Sequence, residues 1–502
     1  MLEQAESLKG EEDNLKFTML LNPIKKAMFS LPSKRNNSLE WVLNSLYIHI
    51  TSLPLPDMLM FDEEKTDANN PNISALTCSV SSMANFYDPF VMEVSLKRKS
   101  NGYNSEAEKE QRNSLVLFLL HLFDRPLTYL DISSTKNGNA ALRKSTETYM
   151  HYLTHLHSNF CSLLDCVKKP QTMGFNNGRK QYEETLYDSN KSRPKISNMS
   201  LGTFYYMLLG EKVESSHVPC VYSHIYILHQ CLPLCVCLLR RNEDCAIYKG
   251  LMLGKAVTVD IGVATIDAEV LDSNDHIEFL SALVNIMVFC CVNDFRFIAS
   301  HIVPDYIRKF KIQGRYVILL NLLKRNKHSG VLSFLIGMVK ENLNVSLDST
   351  SSCPYFSGSK LKLLFDIIFT LPNGEDTDLL DSNDHIITAL NILRFALLRD
   401  QGNKTGIKDY MMNINKEFVI PLRTALNVSK RHYQLTLEEM KKGNDSAFLG
   451  GSTVDLEVTL GQNISQLNRD QQLDIVITGL NMLDLIECVL VRVEELIPDS
   501  TN

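Results

Sequence analysis

Leu380–Asp400 reads LDSNDHIITALNILRFALLRD, a polar entrance running straight into an apolar segment. Asp, Ser and Asn accept hydrogen bonds from the free N–H groups of a starting helix, and an acidic residue there complements the helix dipole. The following apolar residues recur three and four positions apart, which is the period of one helix face. The same seven residues, LDSNDHI, also occupy Leu271–Ile277 and lead into IEFLSALVNIMVF, so the chain contains two identical helix entrances. Their starts lie 109 residues apart. That is not a whole multiple of the roughly 40-residue repeat of paired helices, and no strict repeat period follows from it.

Helical periodicity continues in both directions. It predicts helices over Leu39–Ser52, Ser114–Phe123, Ala140–Val167, Leu201–Leu209, Val221–Leu239, Cys245–Val257 and His276–Cys291. Further helices are expected over Tyr306–Lys324, Ser329–Asn342, Gly358–Phe369, Asn383–Leu398, Lys408–Lys442 and Gln472–Ile497. Strand-type alternation is nearly absent, so the expected class is all-α. A long helical series without a single-core pattern points to an α-solenoid of HEAT or armadillo type, whose helices bury their apolar stripes against neighbours. Four polar stretches read as loops: Phe61–Asn72, Lys97–Asn113, Lys168–Ser200 and Gly443–Asn468. A division near residue 270 separates an N-terminal region, 1–270, from a C-terminal region, 271–502, which opens with the first LDSNDHI.

Bulk properties narrow the function classes. The chain has 502 residues, 44% of them hydrophobic, which exceeds what one compact core organises. Its 51 basic and 58 acidic residues leave a net charge of −7, against a nucleic-acid groove or a membrane surface. No apolar run approaches the roughly 20 residues that span a bilayer, and no cleavable leader pattern is present. The expected location is cytoplasmic, with the nucleus also open. The 12 cysteines, many in apolar segments (Cys231, Cys235, Cys237, Cys290, Cys291, Cys488), suit reduced, buried thiols better than a disulfide scaffold.

Catalytic signatures fail one by one. Gly250–Lys255 has three residues between its glycines where a phosphate loop has four, and Ala256 stands where a hydroxyl would meet the metal. His151 and His155 lie one helical turn apart but bring no zinc-hydrolase glutamate and no evident third ligand, so an ordinary helix surface is the favoured reading. Cys231, Cys235 and Cys237 lack paired CxxC spacing and sit among Leu and Val, which favours buried thiols. No catalytic residue, cofactor or metal is expected.

Lys408–Lys442 is more informative. Pro421 is expected to kink it or to start a helix. From there Phe418, Leu422, Ala425, Leu426, Tyr433 and Leu437 fall on one side, and Arg423, Asn427, Lys430, Gln434 and Glu438 on the other. That outer face is either a plain solvated surface, the reading composition favours, or a partner-binding surface with Arg, Asn and Tyr as anchors. The last helix carries Val476, Leu480, Leu483, Ile486, Leu490, Val493 and Ile497 as a broad apolar stripe, which suits a helix closing the solenoid. Asp484, Glu487, Glu494 and Glu495 are left to the surface.

The blocks KHSGVLSFLIGMVKENLNVSL, FSGSKLKLLFDIIFTLPNGEDTDLLDSNDHIITALNILRFALLRDQGNKTG, FVIPLRTALNVSKRHY and LIECVLVRVEELI closely resemble the C-terminal part of the glomulin family. Weaker similarity covers SLPLP at Ser52–Pro56, DPFVMEV at Asp88–Val94, FNNGRKQ at Phe175–Gln181 and VYSHIYILHQ at Val221–Gln230. The family carries further helices before the SLPLP-like segment, so the resemblance implies an N-terminally shortened member. It also implies a HEAT-like solenoid without catalytic activity. The C-terminal half of such a protein grips the RING domain of the RING-box subunit of cullin–RING ubiquitin ligases and covers the docking surface of the ubiquitin-conjugating enzyme. The second LDSNDHI lies within this family wording and the first does not. The candidate contacts are Asn391, Arg394, Arg399, Arg423, Asn427, Lys430, Arg431 and Tyr433. The attached cullin and a rapamycin-binding immunophilin are the other implied partners, the latter without an assignable residue. Two other classes compete: a general helical-repeat scaffold or trafficking adaptor, which the fold alone supports equally, and an enzyme using the His151/His155 pair.

Overall fold

The structure is a computed structural model that describes residues 11–31, 35–55, 71–101, 106–134, 139–167, 187–188, 191–194, 196–348, 353–441 and 469–497. Among these, seventeen α-helices follow one another. The first ten are α1 (Glu11–Ser30), α2 (Arg35–Ser52), α3 (Pro71–Asn101), α4 (Glu106–Asp124), α5 (Ala140–Leu156), α6 (Asn198–Tyr205), α7 (His224–Leu239), α8 (Asp244–Val259), α9 (Asp275–Phe289) and α10 (Asn293–Lys309). Then come α11 (Ile312–Arg325), α12 (Ser329–Asp348), α13 (Gly358–Ile368), α14 (Asn383–Arg399), α15 (Ile407–Ile414), α16 (Ile420–Lys441) and α17 (Arg469–Glu494).

Contacts divide the chain into two units: one of Met1–Thr265 and Val270–Lys309, the other of Ile266–Glu269 and Phe310–Asn502. The helices α9 and α10 thus fall in the first unit, whereas the sequence division near 270 assigns them to the C-terminal region. In the first unit α1 packs on α3, α2 on α4, α3 on α5, α4 on α6, α7 on α9 and α8 on α10. The second repeats this next-but-one rule with α11 on α13, α12 on α14 and α13 on α15. In these pairs a helix lies on its counterpart in the adjacent pair, so local neighbours bury the apolar stripes. The fold is an all-α helical-repeat solenoid.

Several sequence expectations need correction. The helices α1 and α3 and most of α10, residues 293–305, fall outside the expected helices; each contains a proline, Pro23, Pro89 and Pro304 respectively. The stretch Lys97–Asn113 is no continuous loop, because α3 runs to Asn101 and α4 begins at Glu106. The expected single helix Tyr306–Lys324 is two helices. The break holds Phe310, which pairs in parallel with Ile266, while the Lys311 N–H donates to the Ile266 carbonyl. Ala140–Val167 ends as an α-helix at Leu156 and continues as a 3₁₀ turn at Phe160–Cys166. Within Lys168–Ser200 the described part includes a short antiparallel pairing of Tyr187–Asp188 with Lys191–Pro194. Gly443–Asn468 and residues 61–70 lie outside the described residues. Of the cysteines placed in apolar segments, Cys231 and Cys235 are buried, whereas Cys291 and Cys488 are exposed.

The glycines Gly250 and Gly254 lie inside α8, where bare backbone admits close packing. A Cβ on Gly254 would sit 2.8 Å from the Phe279 ring, and one on Gly250 3.0 Å from Leu238 and Leu239. Just before Gly250, Lys249 is buried, its Nζ donating to the carbonyls of Thr128 (2.8 Å), Leu130 (2.7 Å) and Cys245 (3.3 Å). Burial holds its ammonium below the usual lysine range, and three carbonyls meet its three donors.

Both LDSNDHI copies start helices as expected, but in neither does the cap residue's side chain make the capping bond. What they share is a buried histidine in the first turn, His276 and His385.

Candidate partner-binding surface

The candidate residues sit on α14 and α16 of the second unit, and α17 packs against both helices. Helix α16 follows α15 through a π-helical turn, Asn415–Val419, in which the Ile420 N–H donates back to the Asn415 carbonyl. The irregularity therefore lies just before Pro421, whose ring and missing N–H disfavour regular helix in the preceding turn. Beyond it Phe418, Leu422, Ala425 and Leu426 are buried, while Tyr433 and Leu437 are half-buried, as the sequence predicts. On α17, Val476, Leu483, Ile486, Leu490 and Val493 are buried, with Leu480 and Ile497 half-buried.

The polar face of α16 is split in two. Arg423 and Lys430, read from sequence as outward-facing, turn towards α17. The Arg423 guanidinium donates to Glu494 (Nε–Oε1 2.9 Å) and to Glu487 (3.2 Å), and Lys430 Nζ meets Asp484 and Glu487, each at 2.5 Å. The hydrogen bond and charge of Glu494 raise the Arg423 pKa, and those of Asp484 and Glu487 raise that of Lys430. Asp484, Glu487 and Glu494 are thus ion-pair partners, where the sequence reading left them simply to the surface. The bonds run in antiparallel order, because the higher-numbered residue of α16 meets the lower-numbered ones of α17. Tyr433 also faces inwards: a Cβ on Gly479 of α17 would stand 2.9 Å from its ring.

What remains outward on α16 is a mixed stripe. Ile420, Val428 and Leu435 are 53%, 64% and 45% exposed, and Asn427 and Arg431 are exposed beside them. On α14, Asn391 and Leu398 are exposed and Arg394 half-buried, all on one face. Among the described residues the side chains of Asn391, Arg394, Asn427 and Arg431 make no hydrogen bond or ion pair with one another or with the rest. Arg399 pairs with Asp348 of α12 at 2.5 Å. Of the eight sequence candidates, then, Arg423, Lys430 and Arg399 have intramolecular partners and Tyr433 packs on α17, while the other four face solvent wholly or partly. The exposed apolar members Ile420, Val428, Leu435 and Leu398 were not among the candidates; their signal was apolar side chains at positions the period assigns to the polar face.

A family model described as "Uncharacterised protein family, YAP/Alf4/glomulin" matches residues 3–458. The chain belongs to this family. The human protein named glomulin is 27% identical over 506 residues, covering 100% of this chain and 81% of the human one. Mouse glomulin is 26% identical over 501 residues, with 99% and 80% covered. Aberrant root formation protein 4 of Arabidopsis thaliana is 27% identical over 127 residues, 23% of this chain and 20% of its own length. As a member of the glomulin family with a helical-repeat fold, the chain is a glomulin-type regulatory or scaffold protein. The match extends across α14 and α16, so the mixed stripe lies within the family region.

Proposed function

We propose that this protein is a non-catalytic inhibitor of cullin–RING ubiquitin ligases, binding the RING domain of the RING-box subunit and excluding the ubiquitin-conjugating enzyme from the same surface. The observation that carries this reading is the likeness to glomulin along the whole chain. The stripe Ile420–Asn427–Val428–Arg431–Leu435 supports it, because apolar anchors beside an arginine and an asparagine suit a protein partner. Arg423, Lys430 and Tyr433 would act indirectly, by fixing α16 on α17 so that the stripe is presented rigidly. The partner would be the RING-box subunit with its attached cullin, encountered in the cytoplasm or nucleus. A rapamycin-binding immunophilin is a further partner of the same proposal, with no residue assigned.

The test is a titration of the full chain into a RING-box–cullin complex while ubiquitin discharge from a charged conjugating enzyme is followed. Dose-dependent inhibition is expected. Val428→Glu and Arg431→Glu should each weaken binding tenfold or more, about 1.4 kcal/mol, with helix content unchanged. A folded chain that neither binds nor inhibits would overturn the proposal in favour of a general helical-repeat scaffold.

A further inference from the structure

The histidines His151 and His155 lie on the outer face of α5, and the structure adds a partner that their sequence spacing does not reveal. The two Nε2 atoms approach to 3.2 Å, with the rings nearly perpendicular, 78° between planes and 4.6 Å between centroids. Two imidazole nitrogens bound to one zinc ion at about 2.0–2.1 Å, with an angle between square and tetrahedral, stand roughly 2.9–3.4 Å apart. The observed separation falls within that range. The outer nitrogen of His151, Nδ1, meets Oε1 of Glu214 at 3.1 Å. A carboxylate on the far nitrogen of a ligating histidine fixes the tautomer that leaves Nε2 free to bind a metal.

Glu214 is itself held in place. It is a non-glycine residue with φ 55°, two positions after Lys212 at φ 58°. Its loop is tied down by Glu211 N–H to the Tyr206 carbonyl (2.9 Å) and Val213 N–H to the Met207 carbonyl (3.0 Å). Left-handed backbone at such residues costs of order 1 kcal/mol or more and persists only where its surroundings impose it. Here it aims the carboxylate at α5. The second oxygen, Oε2, lies 3.4 Å from His217 Nδ1, so the carboxylate is bracketed by two imidazoles.

We propose that His151 and His155 hold a borderline divalent cation, zinc foremost, between their Nε2 atoms, with Glu214 orienting His151 from the outer shell. Among the described residues no group of three or more His, Cys, Asp or Glu side chains is placed to hold a metal ion. The described residues therefore supply two ligands, with water completing the coordination in this proposal. In the metal-free protein the short contact requires one ring to donate to the other: His151 gives its Nδ1 hydrogen to Glu214 and accepts at Nε2 from His155. The cation takes the place of that bridging hydrogen, which shifts to Nδ1 of His155, and no net proton is exchanged between neutral rings. Imidazole nitrogens with water suit zinc, copper or nickel rather than magnesium or calcium.

The experiment is calorimetric titration of the full chain with zinc alone, under reducing conditions. The native chain should bind one equivalent more than His151→Gln/His155→Gln, and Glu214→Gln should keep that equivalent with affinity reduced about tenfold. The side chain of His151 is 53% exposed and that of Glu214 26%, and His155 is half-buried, so circular dichroism of each variant accompanies the titration. A second reading needs no substitution: zinc should protect His151 and His155 of the native chain from carbethoxylation, followed by peptide mass spectrometry. Equal stoichiometry in the native and doubly substituted chains, or carbethoxylation of both histidines unaltered by saturating zinc, would overturn the proposal.

Discussion

The two copies of LDSNDHI place the same residues at the start of α9 and of α14, yet they attach those helices in different ways. In the first copy His276 is tied to side chains: Nδ1 lies 2.5 Å from the Tyr306 hydroxyl and Nε2 lies 3.1 Å from His229 Nδ1, linking α9 to α10 and α7. In the second copy His385 is tied to backbone: Nε2 donates to the Ile368 carbonyl at 2.8 Å, and its own N–H donates to Ser329 Oγ at 3.0 Å. The heptapeptide specifies a helix start and a first-turn histidine that is buried. Which atoms that histidine satisfies is set by the neighbouring helices, 17 to 56 residues away in the second copy and 30 to 47 in the first.

This contrast can be broken by substitution. His276→Ala removes a buried ring together with its contacts to the Tyr306 hydroxyl and to His229, so a loss of about 3 kcal/mol is expected for the first unit. His385→Ala strands one carbonyl that keeps a second lone pair, and about 2 kcal/mol is expected. Urea denaturation followed by circular dichroism would rank the two, and equal losses would show that ring burial, not partner identity, sets the cost.

Acid sharpens the same comparison. Burial lowers the pKa of His276 to about 3, helped by the neighbouring His229, and burial also lowers that of His385. Each folded-state pKa lies below the unfolded value of about 6.5, so the unfolded chain binds protons first as the pH falls. Stability is therefore constant above about pH 6.5 with respect to these groups and declines below it, by up to about 1.4 kcal/mol per pH unit for each histidine. For His276 the decline extends towards pH 3. His276→Ala should flatten the pH dependence of the first unit below 6.5, and an unchanged slope would show that other groups carry it.

A smaller effect is expected at the candidate surface. Arg423→Ala removes bonds to two carboxylates from a partly buried network and should cost about 1 kcal/mol, whereas Arg399→Ala loses one exposed ion pair and should cost under about 0.5 kcal/mol. Thermal midpoints of the two variants, compared with the native chain, would test the order.

Much of the fold was legible because solenoid helices bury amphipathic stripes against near neighbours, and α14, α16 and α17 show those stripes plainly. The helix α3 was not, since Ser, Asn and Pro89 blur its period although Val80, Phe86, Phe90 and Val94 are buried along it. The break between α10 and α11 was not either, because it depends on Ile266, more than forty residues upstream. At the surface, periodicity separated the buried face of α16 from the rest but could not say that part of its polar face meets another helix. A signal did exist: Arg423 and Lys430 are seven residues apart, as are Glu487 and Glu494, the spacing at which two antiparallel helices can meet in register.

The carbonyl cage around Lys249 turns that residue into a chemical clock. An amine must be unprotonated and reachable to react with an acylating reagent, and in the folded protein this one is sealed from solvent with all three hydrogens engaged. Exposed lysines would be modified on mixing, while Lys249 would wait for its surroundings to open. The rate at which its peptide gains label would thus time the breathing of the first unit from a single native atom, with no dye and no mutation.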